Sequence, residues 1–112
     1  MTATAAPEAS TCRPRDSIRL HDVTAAVAAA ALLADPTRAS ILRMLADGPY
    51  CVCEMAAALG VGDSNLSNHV ARLRHAGLVR ATRNEANLRF TYYERDEAAI
   101  ASLRGALVDV LR

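Results

Sequence analysis

No run of roughly 18 apolar residues, the minimum for a membrane-spanning helix, occurs in this chain of 112 residues, and nothing is expected to cross a bilayer. The nearest approach, the Ala-rich run over residues 24–34, is too short and ends at Asp35-Pro36. The opening MTATAAPEASTCRPRDS has no basic region followed by an apolar core. A secretion signal is therefore not expected, and the cytoplasm, where thiols stay reduced, is the expected compartment. Cysteine is scarce and odd in number: Cys12, Cys51 and Cys53, the last two one residue apart, make a poor disulfide framework and a better ligand set. There is no Gly-rich phosphate loop and no metal-hydrolase spacing. An enzyme, which needs a nucleophile, a base and an orienting group in one pocket, is not expected. Lysine is absent altogether, and all 13 basic residues are Arg.

The formal net charge is only +1, but it is unevenly spread. Residues 1–63 hold five Arg against seven acids and residues 94–112 three against four, whereas in residues 64–93 five Arg face only Glu85. That middle segment reads as a basic patch. The length fits one domain with a modest core, small enough that a partner subunit would help.

The stretch CVCEMAAALGVGDSNLSNHVARLRHAGL, residues 51–78, organises the chain. Met55, Ala56 and Leu59 lie at helical spacing, and Gly60-Val61-Gly62 stops that helix, because glycine adopts left-handed conformations without steric cost. Asp63 or Ser64 is expected to cap a second helix. There Leu66, Val70 and Leu73 form an apolar stripe, while Ser64, Asn65, Ser67, Asn68 and Arg72 occupy the opposite face. A helix-turn-helix needs this division, with one face anchored in a core and the other meeting base edges in the DNA major groove. Ser and Asn are mediocre helix formers, so a solvated amphipathic hairpin would not explain four of them in five residues.

Residues 1–16 lack periodicity and are expected to form a mobile arm carrying Cys12. A helix is expected over about 17–33, with Ile18, Val23, Val27, Ala30 and Ala31 on its buried side. Another, with Asp35 as its cap and Pro36 in its first turn, runs over 36–46 and buries Ile41, Leu42 and Leu45. Residues 78–82 and 88–92 alternate apolar and polar, which predicts a hairpin connected through 83–87. As a wing, that hairpin places Arg83 and Arg89 against phosphate. The last segment, 96–112, spaces Ile100, Leu103, Leu107 and Val110 along one helical stripe. Both end helices need a covering surface, which predicts packing across the twofold axis of a homodimer. The reading is a winged helix-turn-helix, mainly α with a small β-hairpin wing, over residues 17–112. Asp63, Ser64, Ser67 and Asn68 face base edges of double-stranded operator DNA, with Asn65 and Arg72 nearby.

LADPTR at 33–38, CVCEMAAALGV at 51–61 and SNLSNHVARLRHAGLV at 64–79 together resemble the ArsR/SmtB family of winged-helix metal-sensing repressors. The CVC resembles its thiol-rich branch, which senses arsenite and antimonite or cadmium and lead. The resemblance implies a homodimer that holds DNA without metal and releases it when metal binds. Arsenite sensors of the best-known type have a third cysteine where this chain has Ala56, so the resemblance leaves Cys12, from the arm, as the only candidate to join the pair. A family zinc site on the last helix needs His, and residues 96–112 contain none, so that site is expected to be absent.

The chemistry of the cysteines points the same way. Thiolates select thiophilic ions, and three of them suit As(III), Sb(III) or Pb(II), or most of a Cd(II) shell. No organic cofactor is expected. Cys51 and Cys53 are expected near a helix N-terminus, where the dipole favours their thiolates. On a regular helix residues two apart point about 200° away from each other, so one ion is expected to take both only by unwinding the first turn. A thiol redox switch on the same scaffold is the alternative. Among the histidines, His69 is expected to be packed or hydrogen-bonded rather than metal-bound, and His21 is a weak candidate ligand beside Cys12.

Overall fold

The computed structural model describes residues 20–83, 85 and 88–112. The predicted arm over 1–16, its Cys12, the helix start at 17 with Ile18, and the side chain of His21 lie outside the described residues. Helix α1 (Leu20–Leu33) leads to α2 (Pro36–Leu45), the short strand β1 (Tyr50–Cys51), α3 (Val52–Leu59), α4 (Asp63–His75), strands β2 (Val79–Thr82) and β3 (Tyr92–Arg95), and α5 (Glu97–Leu111). No single helix among the described residues is long and apolar enough to cross a membrane.

Asp35 starts α2 as expected. Its Oδ1 accepts the backbone N–H of Thr37 at 2.8 Å and of Arg38 at 3.2 Å, two of the donors that a helix start leaves unpaired. The Arg38 amide, followed by that of Thr37 and the nearby Arg38 charge, holds the Asp35 carboxyl below its ordinary value against a smaller opposing effect of burial. A depressed carboxylate contributes stability above its unfolded pKa of about 3.9 and loses it as pH falls through the folded value. Asp35→Ala is expected to lower Tm at neutral pH, with the gap from the parent closing on acidification below that range. Thermal melts by circular dichroism across the acid range check this, and a gap that persisted in strong acid would count against it.

Ile41, Leu42 and Leu45 from α2, Met55 and Ala56 from α3, and Leu66, Val70 and Leu73 from α4 are all buried in one core with Leu78, Val79 and Ile100. Gly60 closes α3 at φ 68°, in the left-handed region, and its amide returns to the Ala56 carbonyl. A side chain there would meet nothing within 4 Å, so backbone conformation alone requires glycine. Neither Asp63 nor Ser64 caps α4: Gly62, extended at φ −73° and ψ 153°, is the cap and Asp63 is the first helical residue, where its charge favours the helix start.

Two expectations about strands are corrected. The second wing strand is β3, three to four residues later than the alternation of 88–92 suggested. It pairs antiparallel with β2 through Val79 with Arg95 and Thr82 with Tyr92, leaving Leu88 and Phe90 exposed. Alternation is a signature of a half-buried strand only when there is a core for the apolar side to face, and those two residues lie beyond its reach. The sheet also has a third member, in the order β1-β3-β2. At two residues, β1 is too short to carry a period.

The α1 expectation is corrected too. Val23, Val27, Ala30 and Ala31 are exposed, and Ala26 is the buried residue of this helix. Within one chain α1 lies against α2 and α5, and its Ala25, Ala28, Ala29 and Leu32 line a groove beside α5. On α5, Ile100 is buried and Leu103 and Leu107 partly so, while Val108, Val110 and Leu111 are exposed.

Candidate metal centre and nucleic-acid interface

Cys51 ends β1, opposite Tyr92 of β3, and serves as N-cap of α3 with extended backbone at φ −91° and ψ 168°. Cys53 lies in the first turn of α3. Because the first cysteine is on the sheet rather than the helix, the rotation that would separate the pair does not apply, and the two Sγ atoms stand 3.3 Å apart. The expectation that the first turn must unwind before one ion can reach both sulfurs is thereby overturned. Two sulfurs at the usual 2.3 Å from a tetrahedral ion would be roughly 3.8 Å apart, so a shift of about half an ångström would seat them. Cys51 is buried and Cys53 exposed, both as free thiols.

Cys51 takes the place that Ser or Thr normally fills in a capping box: Glu54 reaches back to accept the Cys51 N–H on Oε1 at 2.9 Å. Burial first, and then the Cys53 thiol and the Glu54 carboxylate, push the Cys51 thiol up from its ordinary value of 9.0, although the Glu54 backbone N–H works the other way. The shift runs opposite to the lowering expected of a helix start, because desolvation of the charged form is the largest effect on this thiol. An ion that takes Cys51 must displace a proton at neutral pH. Affinity is expected to rise with pH throughout the neutral range and up to the raised pKa, about tenfold per unit for each proton displaced. Competitive metal titrations at several pH values read this slope, and a flat profile would remove Cys51 from the ligand set.

Both cysteines open onto a cleft of about 290 Å³ lined also by Val52, by Asp63 at the start of α4, and by Phe90, Thr91 and Tyr93 at the base of the wing. Sequence reasoning did not bring the wing and Asp63 to the thiols, since only the β1-β3 pairing places them together. Among the described residues no third His, Cys, Asp or Glu joins the two sulfurs at metal-binding distance. The pair fits a thiophilic ion by donor chemistry and separation and leaves at least one coordination position to another group.

Ser64, Asn65, Ser67, Asn68 and Arg72 are exposed on α4, with Asp63 at its N-terminus, opposite the buried Leu66, Val70 and Leu73. The apolar side is thus consumed by the core, and the polar side is presented outward. The basic patch is weaker than its count of Arg implied: Arg80 is paired with Glu94 at 2.8 Å and Asp96 at 3.4 Å, carboxylates beyond the segment in sequence, the first on the neighbouring strand β3 and the second just after it. Arg74 stands over the Tyr93 ring at 5.7 Å. Arg83, in the wing, meets Glu85 at 3.2 Å with both side chains largely exposed, a contact of little energetic weight. Arg89 is exposed on the same wing.

Residues 35–81, which span α2 to β2, match the family described as bacterial regulatory protein, arsR family. The chain is 34% identical over 90 residues to the HTH-type transcriptional regulator NmtR of Mycobacterium tuberculosis, covering 79% of this chain and 75% of that protein. The chain belongs to the arsR family. CmtR, another HTH-type transcriptional regulator of Mycobacterium tuberculosis, is 43% identical over 79 residues, which cover 70% of this chain and 64% of CmtR's length. A solved structure described as a possible transcriptional regulator for arsenical resistance superimposes with a TM-score of 0.64 at 34% identity over 74% of this chain and 82% of its own. The fold is accordingly that of the winged-helix regulators, mostly helical with a small antiparallel sheet. Both of these curated relatives are named as transcriptional regulators, and the matching family is described as one of regulatory proteins.

Proposed function

We propose that this arsR-family chain is a metal(loid)-responsive transcriptional repressor, bound to double-stranded operator DNA as a homodimer and released when a thiophilic ion such as As(III)/Sb(III) or Cd(II)/Pb(II) binds Cys51 and Cys53. The observation that carries this reading is the 3.3 Å approach of the two sulfurs at the junction of β1 and α3. One sulfur belongs to the sheet that supports the wing and the other to the helix that supports α4, so an ion held by both would tie together the two elements that meet DNA. Cys12 is proposed as a third ligand. The solved relative described as a regulator for arsenical resistance favours a thiophilic metalloid among the candidates. The exposed Val23 and Val27 of α1 and Val108, Val110 and Leu111 of α5 are the surfaces proposed for the second copy.

The test is a titration of reduced protein on labelled operator with As(III), Cd(II), Pb(II) and Zn(II). Anisotropy follows release, a thiolate-to-metal ultraviolet band follows binding, and sedimentation of the complex reads two protomers per operator. Absence of release with every ion would overturn the reading. The close sulfur pair also supports a redox reading, in which a peroxide oxidises both thiols to one S–S bond with release of water. Release by peroxide, without response to any ion, would select that alternative.

Asp63, Ser64, Ser67 and Asn68 are proposed to face base edges, with Asn65 and Arg72 beside them and Arg83 and Arg89 on the backbone. Arg89→Ala is then expected to weaken binding to every sequence and to reduce the salt dependence by about one unit of log–log slope. Ser67→Ala or Asn68→Ala instead changes which operator positions are preferred. Affinity measured against salt on operator and on scrambled DNA separates the two effects, and an Arg89→Ala protein with the parent's slope would remove the wing from the interface.

A further inference from the structure

We propose that Arg38 and His69 form a latch that sets the angle between the DNA-reading helix α4 and helix α1. The latch rests on the DNA-binding reading above and adds to it a residue pair that positions the recognition helix without touching DNA.

The last carbonyls of a helix have no partner within it. At the end of α1 the Arg38 guanidinium, reaching back from α2, takes two of them. Its Nε donates to the Leu32 carbonyl at 2.6 Å and its Nη2 to the Ala31 carbonyl at 3.3 Å. The remaining nitrogen, Nη1, stands 3.3 Å from Nδ1 of His69, midway along α4. A guanidinium has only donors and keeps its proton, so this contact is a hydrogen bond when Nδ1 accepts, in the tautomer that carries its hydrogen on Nε2. That atom faces Asp35 Oδ1 at 3.9 Å, the same oxygen that caps α2. Helix α1 rests on α2 and α5 and makes no extended packing contact with α4. The guanidinium spans that gap. Since α1 also carries the exposed Val23 and Val27 proposed to meet a second copy, the latch determines how each α4 is aimed relative to the twofold axis, and with it the separation of the two half-sites that a dimer reads.

The contact depends on one protonation state. A proton on Nδ1 would turn an acceptor into a donor facing a donor and set two cations side by side. Among the described residues the charged groups facing His69 are Asp35, the cap of α2, and Arg38 in its first turn. The described end of α1 contributes the Leu32 and Ala31 carbonyls to Arg38, and Arg72, three positions further along α4, is exposed.

The experiment compares full-length parent, His69→Leu and His69→Asn for affinity to operator and to scrambled DNA between about pH 8 and about pH 5. The Asn amide oxygen can accept from Arg38 and does not titrate. In the parent, the ratio of operator to scrambled affinity is expected to fall roughly tenfold on acidification, the scale of one hydrogen bond to a charged group. His69→Leu shows the lowered ratio at every pH, and His69→Asn keeps the high ratio throughout, while scrambled-DNA affinity is the same for all three. If His69→Leu does not fold, His69→Asn against the parent carries the test alone. A parent that binds no operator overturns the DNA reading and the latch with it. A parent that binds operator with the same ratio and pH profile as its variants overturns the latch alone.

Discussion

Serine at position 51 or 53 is expected to abolish release of operator by thiophilic ions while leaving binding by the metal-free protein intact. A hydroxyl is a hard, weakly acidic donor and does not replace a thiolate toward a thiophilic ion. Loss of either sulfur therefore leaves a single soft ligand among the described residues. The coupling at stake is that of a useful repressor, about 1–3 kcal/mol between ion and DNA, or roughly a 5- to 150-fold change in affinity. The structure also says why Cys51→Ser is a clean variant. Cys51 is the N-cap of α3, a position at which serine is preferred, so its Tm should equal or exceed the parent's. Cys12→Ser is expected to weaken ion binding and spare part of the release, because an arm ligand adds affinity without joining β1 to α3. Anisotropy on labelled operator with and without ion reads the outcome. Variants at 51 and 53 that let go of DNA at the parent's ion concentration would place the inducer site elsewhere.

Leu66→Ala carries the largest expected loss of stability. Its side chain is fully buried in the core beneath the face proposed to read DNA. Leu→Ala at such sites costs about 2–5 kcal/mol, against a total stability of about 5–15 kcal/mol for a native domain. Helix α4 is exposed to this loss because Ser64, Asn65, Ser67 and Asn68 give it little intrinsic preference for helix, so its order depends on Leu66, Val70 and Leu73. A lowered urea midpoint with unchanged slope, together with operator affinity that falls with the folded fraction, is the expected pattern. A change below about 1 kcal/mol would mean that the anchor has been misassigned.

How much of this was legible in advance depends on the range of each interaction. The order of helices, the Asp35 cap, the Gly60 stop and the buried triplets of α2 and α4 were readable because each rests on residues within one or two helical turns. The pattern SNLSNHVARLRHAGLV likewise placed the chain in its family without coordinates. By itself, then, the sequence determined the helical frame, the division of α4 into an anchored and an outward face, and the presence of a close pair of cysteines. The tertiary structure alone decided that Cys51 lies on a strand, since β1 exists only by pairing with β3 some forty positions later. From that one pairing follow the convergence of the sulfurs, the upward shift of the Cys51 thiol on burial, and the arrival of Asp63 and the wing at the same cleft. It also decided that Arg80 is neutralised across the sheet and that Arg38 reaches both the end of α1 and His69. Each of these is a contact between residues distant in the chain, and local pattern carries no information about which distant surfaces meet.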